Sequence, residues 1–168
     1  GFSTFSFALP MRGTVYAIDN FKIEGSFKKF VEHGEKLGVS NVHVMPMDFQ
    51  DVKWKQRIDI LHIDGDHSIR ATRRDFDRWS LYVNGGCILL HDVCNPAFTG
   101  PIEVFKKEIE NYFGVFFPEC NGLGVLTKDM DLIQKICKEF NKNVVKTIDY
   151  EINGNEIKIK MGELKLTM

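Results

Sequence analysis

Ile58-Asp59-Ile60-Leu61-His62-Ile63-Asp64-Gly65-Asp66-His67 reads as a strand over Ile58–Ile63 that runs out at Asp64 and turns across a glycine. Cys87-Ile88-Leu89-Leu90 is a second such run, nearly all apolar until His91-Asp92. Thr14–Ile18 is another, ending at Asp19, and Asn41–Met45 is stopped by Pro46. Amphipathic stretches lie between them. Ser26–Leu37 predicts a helix capped by Ser26 and ended by Gly38, with Phe27, Phe30, Val31 and Leu37 near one face. His67–Val83 predicts a second helix, with Ile69, Phe76 and Val83 at seven-residue spacing, and Pro101–Tyr112 a third. Gly85-Gly86 predicts a turn, and Phe113–Phe117 and Gly122–Leu126 predict short late strands. Apolar strands alternating with helices point to an α/β fold: a doubly wound, mostly parallel sheet with flanking helices. Ligands of such sheets sit outside the carboxyl ends of the strands. Asp19, Asp64 and Asp92 at three strand ends therefore predict a polar cleft.

Composition narrows the function classes. The chain has 168 residues, 43% hydrophobic and 27% charged, as expected of one globular domain. Its 22 basic and 23 acidic side chains give a formal net charge of -1. That argues against a nucleic-acid partner held by bulk charge and against an acidic disordered tail. No apolar run reaches the roughly 18 residues that cross a membrane, and the first ten residues lack the pattern of a signal peptide. Cys87, Cys94, Cys120 and Cys137 form no C-x-x-C pair. They read as reduced, non-ligand thiols in a cytoplasmic setting.

Residues 127–168 read as an extension of a core spanning 1–126. Met130–Phe140 predicts a helix. Thr147–Ile152 and Glu156–Lys160 alternate around Asn153-Gly154, a hairpin signal. The hairpin would either cover its own sheet or pair with a second copy in a homo-oligomer.

The strand ends carry the chemistry. A carboxylate at Asp19 suits a ribose diol, because it offers acceptors to two adjacent donors; a solvated residue or a helix cap is the alternative. Asp64 and His67 are three apart and can share one site. Oxygen ligands suit a hard cation such as Mg²⁺, and a nearby imidazole can act as a general base. The competing reading is that Asp66 or His67 caps the next helix. If the two apolar strands are neighbours, Asp92 stands near Asp64, and a divalent cation relieves their repulsion. His91 is then a third ligand, or else packs into the sheet. His62 and His43 read as core residues and His33 as helix surface. Arg70, Arg74 and Arg78, one turn apart, read as a solvated face.

These pieces together resemble the class I S-adenosyl-L-methionine (SAM) dependent methyltransferases of the methyltransferase domain 24 group. Macrolide-sugar O-methyltransferases and cephalosporin-hydroxylase-like proteins are related to that group. The matching pieces are Gly1-Phe2-Ser3-Thr4, Gly13–Asp19, Ile58–Ser68, Gly85–Val93 and Asn121–Leu126. The resemblance implies a Rossmann-like fold in which Asp19 holds the ribose of SAM. Gly1 and Ser3 would belong to the far side of the methionine-binding loop, and Asp48 and Phe49 would lie near the adenine. Asp64 would serve both cofactor and metal. Asp64 and Asp92 would bind Mg²⁺, with His67 as the base. His91 or Val93 stands where some relatives carry a third acidic or amide ligand. Such proteins begin with a strand ending in an E-x-G-type loop, and this chain begins just after it, so an N-terminally truncated core is expected. The implied activity is methyl transfer, O-directed, onto a small-molecule or sugar acceptor. An NAD-type oxidoreductase stays open, since Asp19 would serve that cofactor equally. A non-catalytic module of the same fold also stays open.

Overall fold

The computed structural model describes residues 2–164, which form two compact units divided between Trp54 and Lys55. Among the described residues, no helix is long and apolar enough to cross a membrane.

The first unit runs α1 (Phe2–Ala8), β1 (Val15–Asp19), α2 (Ser26–Leu37) and β2 (Val42–Pro46). β1 and β2 pair in parallel from Val15↔Val42 to Asp19↔Pro46. Parallel neighbours need a long crossover, and α2 supplies it. Phe5, Ala17 and Phe30 make the small core, with the two phenyl rings 4.8 Å apart. The Asn41 side-chain amide donates to the carbonyls of Ala8, Met11 and Gly13, which fastens the α1–β1 connection. The start of α2 differs from expectation: its cap is Gly25, at φ 72°, and Ser26 is the first helical residue. Gly38 does end the helix in the left-handed region, donating to Glu35 O. Of the predicted apolar face only Phe30 is buried; Phe27, Val31 and Leu37 stay exposed.

The second unit runs β3 (Ile58–Ile63), α3 (Ile69–Trp79), a 3-10 turn (Ser80–Tyr82), β4 (Val83–His91), α4 (Thr99–Glu108), β5 (Phe113–Phe117), β6 (Leu123–Thr127), α5 (Met130–Phe140), β7 (Val144–Asn153) and β8 (Glu156–Leu164). Its sheet has the order β3-β4-β6-β5-β7-β8. Only β3–β4 is parallel; the other pairings are antiparallel. The expected mostly parallel single sheet is thus corrected to a parallel pair in one sheet and a mixed sheet of six strands. The reason lies in the connections. α3 carries the chain back between β3 and β4, whereas β5–β6 and β7–β8 are joined by links too short for anything but an antiparallel return. No described strand hydrogen-bonds to both β1 and β3, so Asp19 does not share a sheet with Asp64 and Asp92.

The expected turn at Gly85-Gly86 is also corrected, since both glycines lie inside β4. Ile58 pairs with Val83 but Ile60 with Cys87, so β4 carries two extra residues there. Such a bulge needs glycine. Gly85 has φ +70°, and a Cβ on Gly86 would fall 2.0 Å from Asp59 O.

The core of this unit is built on Ile88, Leu90, Ile102, Phe105 and Leu126, all fully buried. Phe105 of α4 fills the space that side chains at Gly114 and Gly124 would need. Arg73 joins α3 to α4, donating to Glu108 at 2.8 Å and to Asp77 at 2.9 and 2.6 Å. The C-terminal hairpin continues the sheet, with β7 beside β5 at Gly114↔Val145 and Gly154 (φ 61°) in its turn. The Tyr150 hydroxyl donates to Glu103 on α4, tying the hairpin to the core helix.

Candidate functional site

The site is made by the register of the one parallel pair in the large sheet. Ile63 stands opposite Leu90, so Asp64 on leaving β3 comes level with His91 and Asp92 on leaving β4. Asp92 is buried, only 7% exposed, and takes φ 60°. A non-glycine residue in the left-handed region costs on the order of 1–2 kcal/mol. Such strain persists where the surroundings over-determine it, and it clusters at functional sites. Here Asp92 O accepts from Asn95 N, and Cys94 N donates to Asn121 O at 2.6 Å. Val93 is fully buried in the core, which removes it as a ligand.

The segment after Asp64 is fixed by local bonds. Asp66 Oδ1 accepts from Ser68 N at 2.9 Å, a bond that holds its carboxyl below the usual range. Ser68 caps α3, its hydroxyl accepting from Ala71 N at 3.3 Å. The cap is therefore neither Asp66 nor His67. His67 is held at both ends. Its carbonyl accepts from Gly100 N at 3.1 Å, and its ring stacks on Phe98 with centroids 4.8 Å apart. A Cβ on Gly100 would lie 2.4 Å from His67 O, so only glycine lets α4 approach this closely.

Four side chains converge as a result. His67 Nε2 is 3.3 Å from Asp64 Oδ1 and 3.4 Å from Asp92 Oδ2. His91 Nδ1 is 3.4 Å from Asp64 Oδ1 and 3.3 Å from Asp92 Oδ1. His67 Nε2, His91 Nδ1 and Asp92 Oδ1 are buried, yet none has a hydrogen-bond partner. One ligand atom from each of Asp64, His91 and Asp92 lies within 4.8 Å of the others. Buried polar atoms without partners are costly, and a positive charge relieves the repulsion between the exposed Asp64 and the buried Asp92. The donor set thus fits a divalent cation. The alternative of His91 packing into the sheet does not hold, since its Nδ1 faces the carboxylates. Its ring meets His62 edge-on at 6.1 Å. His62 is half-buried, and burial pulls its pKa down, with Asp64 opposing and His91 adding to the fall. His43 is exposed and stacks on Tyr16, so it is no core residue.

The remaining sequence candidates lie in the first unit. Asp19 is exposed at the carboxyl end of β1, and its Oδ1 accepts from Phe21 N at 2.7 Å. Asp48 follows β2, with Oδ1 accepting from Gln50 N at 2.9 Å, and Phe49 beside it is half-buried. Ser3 is half-buried in the first turn of α1, and Gly1 lies outside the described residues. Sequence reading passed over Phe98 and Gly100. The Gly100-Pro101 pair at a helix start was the available signal, because glycine there marks close approach.

Residues 1–93, more than half of the chain, match the methyltransferase domain family. The matched stretch contains Asp19, Asp64, His67, His91 and Asp92 and ends at Val93. With the parallel strand ends and their convergent carboxylates and imidazoles inside that stretch, the chain belongs to the methyltransferase domain family.

Proposed function

We propose that the chain is a SAM-dependent methyltransferase acting on a hydroxyl of a small molecule or sugar. The observation that carries the reading is the convergence of Asp64, His67, His91 and Asp92 at the strand ends of a methyltransferase domain. SAM supplies an electrophilic methyl group on a sulfonium. Asp19 binds the ribose: its carboxylate is exposed at a strand end, and a carboxylate can accept more bonds than the one from Phe21 N. Asp48 and Phe49 sit after the neighbouring strand, where an adenine edge and face would be met.

Asp64, Asp92 and His91 hold a divalent cation, which when bound lowers the pKa of a hydroxyl beside it. His67 takes the hydroxyl proton at Nε2, which faces both carboxylates and has no hydrogen-bond partner. Phe98, 40% exposed and stacked on His67, gives the acceptor a flat apolar wall, which suits a ring-shaped substrate. Much of the rate comes from holding the acceptor oxygen aligned with the methyl group.

Isothermal titration with SAM and with NAD tests the donor. Micromolar binding of SAM and none of NAD is expected; the reverse sinks the reading. A panel of hydroxylated sugars and phenols with methyl-labelled SAM then tests the acceptor. Label in an alkali-stable ether supports an O-directed enzyme, whereas label only in amines or thiols removes that part.

A further inference from the structure

We infer that the strand-end site selects a first-row transition divalent cation over Mg²⁺, and that His91 makes the selection. The inference rests on the cation site proposed above and deepens it. Mg²⁺ is a small, hard ion that takes oxygen ligands in near-octahedral geometry. Mn²⁺, Fe²⁺, Co²⁺ and Zn²⁺ accept imidazole nitrogen alongside carboxylate. The three ligand atoms that lie together come from Asp64, Asp92 and His91, so one in three is nitrogen.

The placement of His91 Nδ1 supports a ligand. It stands nearly equidistant from one oxygen of each carboxylate, at 3.4 and 3.3 Å, and aligns a hydrogen bond with neither. An imidazolium pairing with a carboxylate would shorten and align one contact. A lone pair directed at a shared centre leaves both contacts long. Asp92 supplies an independent sign. It is more than nine-tenths buried, its Oδ1 has no hydrogen-bond partner, and its backbone takes the left-handed region there. His67 Nε2 faces the same carboxylates at 3.3 and 3.4 Å but does not lie in the group of three with His91 Nδ1, so variants of the two imidazoles tell the ligand from the base.

The test uses the whole chain stripped of metal. Mn²⁺, Zn²⁺ and Mg²⁺ are each titrated in competition with a chromophoric chelator. Mn²⁺ and Zn²⁺ are expected to bind at least about tenfold more tightly than Mg²⁺. Because that rank is common, His91 itself gives the decisive readout. Spin-echo modulation of the Mn²⁺-loaded protein is expected to show nitrogen coupling from a bound imidazole. The coupling should persist in His67→Ala and vanish in His91→Asp, and His91→Asp should narrow the Mn²⁺-to-Mg²⁺ preference by about tenfold. Absence of nitrogen coupling in the wild type overturns the inference without needing any variant to fold. An unchanged preference in a folded His91→Asp protein also overturns it. Failure of every divalent ion to bind sinks the cation site as well, while the SAM titration stands or falls separately.

Discussion

The parallel pairs β1–β2 and β3–β4 are built alike, each with a crossover helix and each delivering an acidic residue at a strand end. Asp19 leaves the first pair exposed, with one oxygen on a neighbouring backbone N–H. Asp92 leaves the second buried, strained and without a hydrogen-bond partner at Oδ1. An exposed carboxylate is stable in water and can wait for the donors of a diol. A buried one beside a second carboxylate is relieved by a positive charge or a proton between them. The same local motif thus yields two kinds of carboxylate, one exposed and one buried, on cores of different size. β4 lies over the large core centred on Phe105, whereas β1 rests on the three-residue core of Phe5, Ala17 and Phe30.

The sharpest way to break this contrast is to remove the packing. Phe105→Ala deletes a fully buried ring that rests over Gly114 and Gly124. A loss of about 3–5 kcal/mol is expected by urea denaturation. Phe30→Ala, in the smaller and leakier core, should cost clearly less. Equal costs would show that the two strand pairs are equally supported.

Asp92→Asn tests the charge without the shape. Asparagine tolerates the left-handed region, so φ 60° is kept, and the thermal midpoint should hold or rise. Divalent binding should be lost and methyl transfer should fall by about a hundredfold. A variant that keeps full activity would make Asp92 a structural residue.

Asp19→Ala tests the exposed partner of the comparison. SAM affinity should drop by about tenfold, the worth of a charge-assisted hydrogen bond, with little change in divalent binding. Unchanged SAM affinity in a folded Asp19→Ala protein would remove Asp19 from the cofactor's partners.

How far these differences could be read in advance depends on what carries them. The strand Ile58–Ile63 and the helix Met130–Phe140 were legible to the residue, because their apolar patterns are local. The meeting of Asp64 and Asp92 was legible on the condition that their strands be neighbours; the register that brings in His91 was not. The sheet's direction was not. Late strands joined by short links must return antiparallel, and the apolar run of β6 looks the same either way. Gly85-Gly86 read as a turn because two glycines signal a turn and a bulge alike, and only Asp59 O across the ladder tells them apart. Phe98 and Gly100 act by closeness to His67, a contact across more than thirty residues that no periodicity encodes.

The smallest effect concerns how the hairpin is fastened to the core that supports the second site. Burial, with Glu103 as the next cause, pushes the Tyr150 hydroxyl up to about 12. In the unfolded chain it titrates near 10. The raised value means that the folded state favours the neutral phenol. Its contribution is therefore whole below about pH 10 and fades as pH climbs from there toward 12. Ultraviolet titration of tyrosinate should show one late-ionising group that is absent in Tyr150→Phe. That variant should lose about 1 kcal/mol at neutral pH, one hydrogen bond's worth. The difference from wild type should shrink above pH 10. A gap that stays constant into strong alkali would assign the loss to altered packing of β7 on α4 rather than to the bond with Glu103. Tyr150 would then serve the hairpin through its ring, beside the β5–β7 pairing and the bond from Lys106 on α4 to Asp149 on β7.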